Sequence, residues 1–293
     1  MSGFAQEMLA LVDRVFESLS APPVRALHLP PKFTPGAKDG EFCALELTDG
    51  SIGLSYALLT GAQEALASQR SLLDVAGMPA LELARRYGSE QALPRALGLA
   101  AINALSQHLF RRAGYPLATT ANSLGLLDPK PGEVVGMVGL FPPLTRRILA
   151  AGASLVVVEL DPALVGARDG YRVTLDHREL RRCDKVLSTT TLMLNDTLDE
   201  VIAACAHARA LVLVGPGGGC LPDPLFARGV SALGGTAIVD RDGFVGALTR
   251  GEAWGAHARK YVIARDAYPG VDALLERARA GGAGGAGGPQ PSR

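Results

Sequence analysis

The residues of this 293-residue chain that could do chemistry sit at the ends of apolar runs. The stretch 132–147, GEVVGMVGLFPPLTRR, begins like a nucleotide-binding turn, with Gly136 and Gly139 closing a run of apolar residues. A dinucleotide fingerprint needs G-x-G-x-x-G, whose backbone N–H groups approach a pyrophosphate. Here only G-x-x-G is present, and Phe141, Pro142 and Pro143 follow. Proline has no N–H to offer a phosphate, so NAD or FAD bound in the ordinary way is not expected, and S-adenosylmethionine is disfavoured too. Glu159 closes VVVEL twenty residues after Gly139. That is where a dinucleotide or methyl-donor site places its ribose-binding carboxylate, and also where a solvated or capping carboxylate would stand.

Further along, STTTLMLNDTLDEV puts Ser188, Thr189, Thr190 and Thr191 directly after an apolar run, then Asn195 and Thr197 at a helix start. Hydroxyls there can meet a ligand, although threonine is also a good strand former, and Asn195 or Asp196 is a natural N-cap. LVGPGGGCLPDPLF ends another run in Gly215, Pro216 and three more glycines. Such a loop can form an anion nest of N–H groups, or simply a turn that needs glycine. Asp240 ends a later run. Cys220 reads as a small buried hydrophobe before it reads as a nucleophile.

These segments share one placement. Residues 133–140, 154–160, 185–188, 210–214 and 235–240 are strand-like, alternating with helical stretches at 144–151, 195–207 and 223–233. Continuous Val/Ile/Leu strands alternating with helices imply a parallel sheet covered on both faces, connected in the doubly wound, Rossmann-like manner. Ligands of such sheets gather beyond the carboxyl ends of the strands, which is where these residues fall. The first part of the chain has another rhythm: an amphipathic helix over 1–20, strand-like runs 24–29, 41–47 and 51–56, then helices 79–87 and 91–112. Asp49-Gly50 between two of the runs is a hairpin signal. The reading is α/β, with a smaller α+β domain over 1–125 and a Rossmann-like ligand-binding domain over 126–265. The Gly-rich tail 281–293 can bury nothing and is expected to be disordered.

Composition narrows the partners. Lys plus Arg and Asp plus Glu are 29 each, so nothing recommends nucleic acid or an anionic membrane. No run is long enough to span a bilayer, and the acidic residues of the first twenty positions are unlike a signal peptide. The four cysteines are scattered without a CxxC pair, and the five histidines fall in different elements. No His/Cys metal cage or disulfide framework is indicated, and a reduced, cytoplasmic protein is the simplest expectation. An oxygen-ligand site built from Glu159, Asp240 and threonine hydroxyls stays open, as does a homo-oligomer.

Taken in order, GMVGLFPPL, VVVELDP, STTTLMLNDTLDEV and LVLVGPGGGCLPDPLFARGV resemble the "Putative heavy-metal chelation" family. IGLSYALLTG and LGLAAINAL fit its first half, and the resemblance runs to about residue 263. It implies an N-terminal domain like that of enolase, a C-terminal Rossmann-like domain, and a ligand or metal role for the cleft between them. The matching positions are Gly139, Phe141, Pro142, Glu159, Thr189, Asn195, Thr197, Gly215 and Pro216, with Asn103 on the matching helix of the first domain. The chain departs from the pattern at Gly217 and Gly218, where relatives tend to carry Ser or Thr, and at Thr190, where they often carry glycine.

The leading expectation is a protein that binds a small ligand, a metal ion or a metal chelate in that cleft, with Thr190 and Asp240 among the lining residues. One alternative is a transferase or lyase acting on a nucleotide-, pterin- or chelator-like substrate, with Glu159 or Asp240 as general base. Another is a structural or regulatory subunit.

Overall fold

A computed structural model describes residues 3–31, 41–57, 70–122, 124 and 126–283. The first element is helix α1 (Gly3–Phe16), whose buried face is Phe4, Met8, Leu11, Val12 and Val15. Three strands follow, β1 (Val24–His28), β2 (Phe42–Leu47) and β3 (Ile52–Tyr56), paired antiparallel in the order β1-β2-β3. The β2–β3 turn is the Asp49-Gly50 hairpin, where Asp49 Oδ1 accepts the Ser51 N–H at 3.0 Å. Every residue of β2 is buried. The alternation of a strand explains this: Cys43, Leu45 and Leu47 join one core, while Phe42 and Ala44 join another.

Helix α2 (Ala80–Arg85) leads into α3 (Ala92–Arg112). The sequence predicts a single buried face for α3, but from Leu93 to Phe110 all residues except Gln107 are buried. The helix lies between the two sheets. Gly53 of β3 permits its close approach, because a Cβ there would collide with the backbone at Ala100 and Ala104.

The large sheet is built from β4 (Val134–Val138), β5 (Ser154–Val158), β6 (Gly166–Arg168), β7 (Tyr171–Thr174), β8 (Lys185–Thr189), β9 (Ala210–Val214), β10 (Ala232–Ile238) and β11 (Ala258–Ala264). Its order is β11-β10-β9-β8-β4-β5-β7-β6, with β6 and β11 as antiparallel edges. From β4 the chain builds outward through β5 and β7, then returns to β8 on the other side. The order therefore reverses between β4 and β8, which makes the carboxyl ends of these two strands the switch point of a doubly wound sheet.

Helices α4 (Pro142–Ala150), α5 (Leu198–Ala204), α6 (Asp223–Ala227), α7 (Arg241–Arg250) and α8 (Val271–Ala283) complete the described fold. The expected helix over 223–233 stops at Ala227, since Gly229 turns the chain at φ 92° and the next strand already begins at Ala232. The hairpin β6–β7, the edge strand β11 and helices α7 and α8 were not foreseen. α8 also runs through residues 281–283, where a tail was expected; the rest of that tail lies outside the described residues. One continuous core, from Phe4 and Leu45 through Leu99 to Val186 and Leu213, joins the small sheet, α3 and one face of the large sheet. No helix among the described residues is long and apolar enough to cross a membrane.

Candidate functional site

At the switch point, the turn after β4 places Gly139 at φ 84°, a left-handed conformation that glycine adopts freely. A side chain there would press on Thr189 Cγ2 at 3.2 Å and on the Phe141 ring at 3.6 Å. Gly139, Phe141 and Thr189 are thus brought together, as the sequence placed them. Pro142 and Pro143 occupy the first two positions of α4, and Phe141 is its N-cap. Fixed φ and a missing N–H suit proline to that place.

Glu159 folds back over this turn. One carboxylate oxygen accepts the Leu140 N–H, and the other accepts the Leu160 N–H at 3.1 Å. Tyr56, at the end of β3, lies close enough to feel this charge. Burial, then the charges of Glu41 and Glu159, push its phenol above the ordinary range, so it keeps its proton.

On the other side of the switch point, Thr189 Oγ1 accepts the Thr191 N–H at 3.2 Å and lies 3.0 Å from Thr191 Oγ1. This cap starts the short turn 190–193 and explains part of the threonine run. Thr190 is buried against the glycine loop: a Cβ at Gly215 would collide with its hydroxyl, and one at Gly217 would lie 3.4 Å from it.

The loop itself is held from behind. Asn103, fully buried on α3, donates from Nδ2 to Leu54 O of β3 at 2.7 Å and to Gly217 O at 2.8 Å. Gln107 Nε2 donates to Gly219 O at 3.1 Å, and the Tyr261 hydroxyl donates to Gly218 O at 3.3 Å. Ser106 Oγ accepts the Leu221 N–H at 3.1 Å. Pro216 lies partly buried between Gly215 and this pinned segment. Asn103 Oδ1 and Ser55 Oγ are buried without a hydrogen-bond partner. A buried acceptor or hydroxyl left in that state costs free energy, and it calls for water or a ligand group.

Glu159, Gly139, Phe141, Thr189, Thr190, Gly215 and Gly217 therefore follow the ends of β5, β4, β8 and β9, with Asn103 of α3 behind the glycine loop. The remaining sequence candidates stand elsewhere. Asn195 Oδ1 accepts the Thr197 N–H at 3.3 Å and hydroxyl at 2.7 Å, a local turn that prepares α5. Asp240 is the N-cap of α7, accepting the Gly243 N–H at 3.1 Å and pairing with His257 Nδ1 at 2.8 Å. The Gly243 N–H and His257 hold its carboxyl below the ordinary range, which weakens it as a base. Ser55, Tyr56, Gln107 and Tyr261 escaped the sequence reading, because only the packing of α3 and β3 against the large sheet brings them here.

All nine Cys and His residues are described. Every cysteine is free and buried. Burial pushes the thiols of Cys43, Cys205 and Cys220 up to about 12 and that of Cys183 to about 11. Soft metals need thiolate or imidazole donors gathered together, and no group of three or more His, Cys, Asp or Glu among the described residues could hold an ion. These side chains do not fit a bare heavy-metal ion. Cavities of about 480 Å³ between α1 and α8, and about 470 Å³ beside Val134, Ser154 and Tyr171, open elsewhere. The second lies at the amino ends of β4, β5 and β7, opposite to where such sheets bind ligands.

Two family models carrying the same description, "Putative heavy-metal chelation", match residues 40–106 and 122–265. An uncharacterized protein of Methanocaldococcus jannaschii is 32% identical over 149 residues, which are 50% of this chain and 56% of that protein. The chain thus matches little more than half the length of that relative. Among solved structures, a protein of unknown function from the DUF364 family of Pyrococcus horikoshii superposes with a TM-score of 0.65 at 22% identity, covering 89% of this chain and 99% of that one. A DUF364 protein of unknown function from Desulfitobacterium hafniense gives 0.62 at 20% identity, covering 88% and 98%. At these identities the likeness speaks for the fold. With both halves matched by models of one description, the chain belongs to the "Putative heavy-metal chelation" family.

Proposed function

We propose that the protein binds a small polar molecule, or a metal already held in a small chelator, where the carboxyl ends of β4, β5, β8 and β9 face β3 and α3. The observation that carries this reading is the join at Asn103. Its amide ties the small sheet to the glycine loop, while its Oδ1 stays buried and unpartnered against that loop. Residues from two sheets converge there on a backbone-built wall, the arrangement expected of a cleft between an N-terminal domain like that of enolase, over 1–125, and a Rossmann-like domain, over 126–265. The family description is compatible with a metal chelate, and the dispersed, protonated thiols favour a ligand that brings its own metal donors over a bare ion. Of the two carboxylates considered for general-base catalysis, Asp240 is committed to capping α7, so an enzymatic reading would fall on Glu159.

Mass spectrometry and elemental analysis of the purified protein, followed by calorimetric titration with the retained molecule, test the proposal. A stoichiometric small molecule whose affinity falls when Thr190 is replaced by Val is the expected result. Protein that carries nothing, and binds nothing in a panel of nucleotides, pterins and metal chelates, would refute it.

A further inference from the structure

We infer that the β4–α4 turn and Glu159 form an acceptor-lined subsite for a protonated amine or similar hydrogen-bond-donating group of the ligand, and that this subsite turns phosphate away. The inference rests on the cleft reading above and adds the chemical sign of what enters.

A helix N-terminus after a parallel strand ordinarily attracts anions, because its first N–H groups point outward unpaired. At α4 those donors are missing or used. Pro142 and Pro143 carry none. The Leu144 and Thr145 N–H groups both turn back to Phe141 O, at 2.8 and 3.0 Å. Before the helix, the Gly139 N–H is bonded to Val158 O at 2.9 Å. The Leu140 and Leu160 N–H groups are taken by the two oxygens of Glu159. Glu159 thus sits where a phosphate would otherwise find its donors.

What Glu159 adds is acceptor capacity. A carboxylate offers about four lone-pair sites, and Glu159 uses one on each oxygen for these backbone bonds. The Phe141 ring of the same turn is partly exposed, and aromatic faces also favour cations. Arg147 of α4 is drawn to Asn122 Oδ1 at 2.9 Å. The glycine-loop end of the site shows the same polarity independently. Asn103 Oδ1 is an acceptor, buried against the glycine loop with no donor to meet it. From Glu159 to that loop is three strand spacings, or about 14 Å.

The test is calorimetric titration of the full chain with 1,4-diaminobutane and, separately, inorganic pyrophosphate, at matched ionic strength. Because the formal net charge is zero, bulk attraction favours neither probe. Diaminobutane should bind the more tightly, and Glu159→Gln should weaken it roughly 10- to 100-fold, the worth of a charge-assisted hydrogen bond. Pyrophosphate binding as tight or tighter, no diaminobutane binding to the wild-type chain, or diaminobutane binding indifferent to Glu159→Gln would each overturn the subsite. If the variant does not fold, the two wild-type titrations alone decide. A phosphorylated molecule retained on the purified protein would also overturn it while leaving the cleft reading intact.

Discussion

Replacing Glu46 by Gln tests how the two sheets are fastened. Glu46 lies on β2 with its side chain 1% exposed, and it meets Arg241 of α7 through two bonds, Nε to Oε1 at 3.0 Å and Nη2 to Oε2 at 2.8 Å. His28 Nε2 lies 2.9 Å from Oε2, and Arg25 Nε lies 3.4 Å from Oε1. Removing one partner of a buried ion pair costs about 3–5 kcal/mol. Here Arg241 and Arg25 are 46% and 50% exposed and regain water when the charge is lost, so about 2–3 kcal/mol is the better figure. At about 2–4 °C per kcal/mol for a chain of this size, Tm should fall by roughly 4–12 °C.

The assay has a built-in reporter. Trp254 is the chain's one tryptophan, and it packs edge-on against Phe42 of β2 and Phe244 of α7, with ring centroids 6.4 and 5.4 Å away. Its fluorescence therefore reads the interface that Glu46 fastens, alongside far-UV circular dichroism for the whole fold. The pH dependence follows from the same bonds. Burial alone would raise the Glu46 carboxyl, but hydrogen bonds from Arg241 and His28 outweigh it and hold the group below 4.5. A depressed native pKa gives stability that is complete above the unfolded value and is lost as pH falls through the native one. The wild-type advantage should thus be constant from neutral pH to about 5 and shrink below that. A Glu46→Gln variant within about 0.5 kcal/mol of wild type, the range of an ordinary surface substitution, would refute the fastening role.

Other outcomes follow from the same structure. Asp49 is held at about 2 against the effect of burial, by His108, the Ser51 N–H and Arg111; its contribution, complete above about 4, should drain away as pH falls toward 2, and Asp49→Asn should flatten that limb of an acid-unfolding curve. The four buried thiols, with pKa values of about 11 to 12, should resist alkylation at pH 8 in the native state and react fully in urea; fast native labelling of any one would contradict its burial. Gly218→Ala sets a Cβ against Gly234 O and 3.1 Å from Thr190 Cγ2, so the loop must shift at a cost of about 1–3 kcal/mol, visible in the urea midpoint and as weakened binding of the retained molecule.

Much of the parallel sheet could be read from the chain because its strands are unbroken apolar runs. The 210–214 strand falls on its expected residues, and Glu159 and Thr189 stand at strand ends as placed. What stayed hidden has a physical reason. The β6–β7 hairpin is half exposed and polar, with Arg168 and Arg172 along it, so it lacks the apolar run that marks a buried strand. The partners of the glycine loop were hidden for another cause. Gln107 reaches it across more than a hundred residues and Tyr261 from an unforeseen edge strand, and no local pattern encodes such a meeting; Asn103 was named only through the family resemblance, without its bond to Gly217 O. The role of Asp240 also depends on geometry: as a strand-end carboxylate it resembles a ligand group, yet α7 begins at the next residue and claims it as a cap.

The glycine loop has a consequence for how this protein must be interrogated. Its carbonyls at 217, 218 and 219 are all engaged by side chains behind it, so the wall it presents is main chain, already rigid and without side chains to delete. Truncation of side chains, the usual way to find a binding surface, has nothing to remove from it. Selectivity built this way changes only by adding bulk to glycine or by redirecting the supports. Functional divergence among related chains should therefore appear as Ser or Thr gained in the loop, and a binding map should be drawn by insertion of methyl groups instead of their removal.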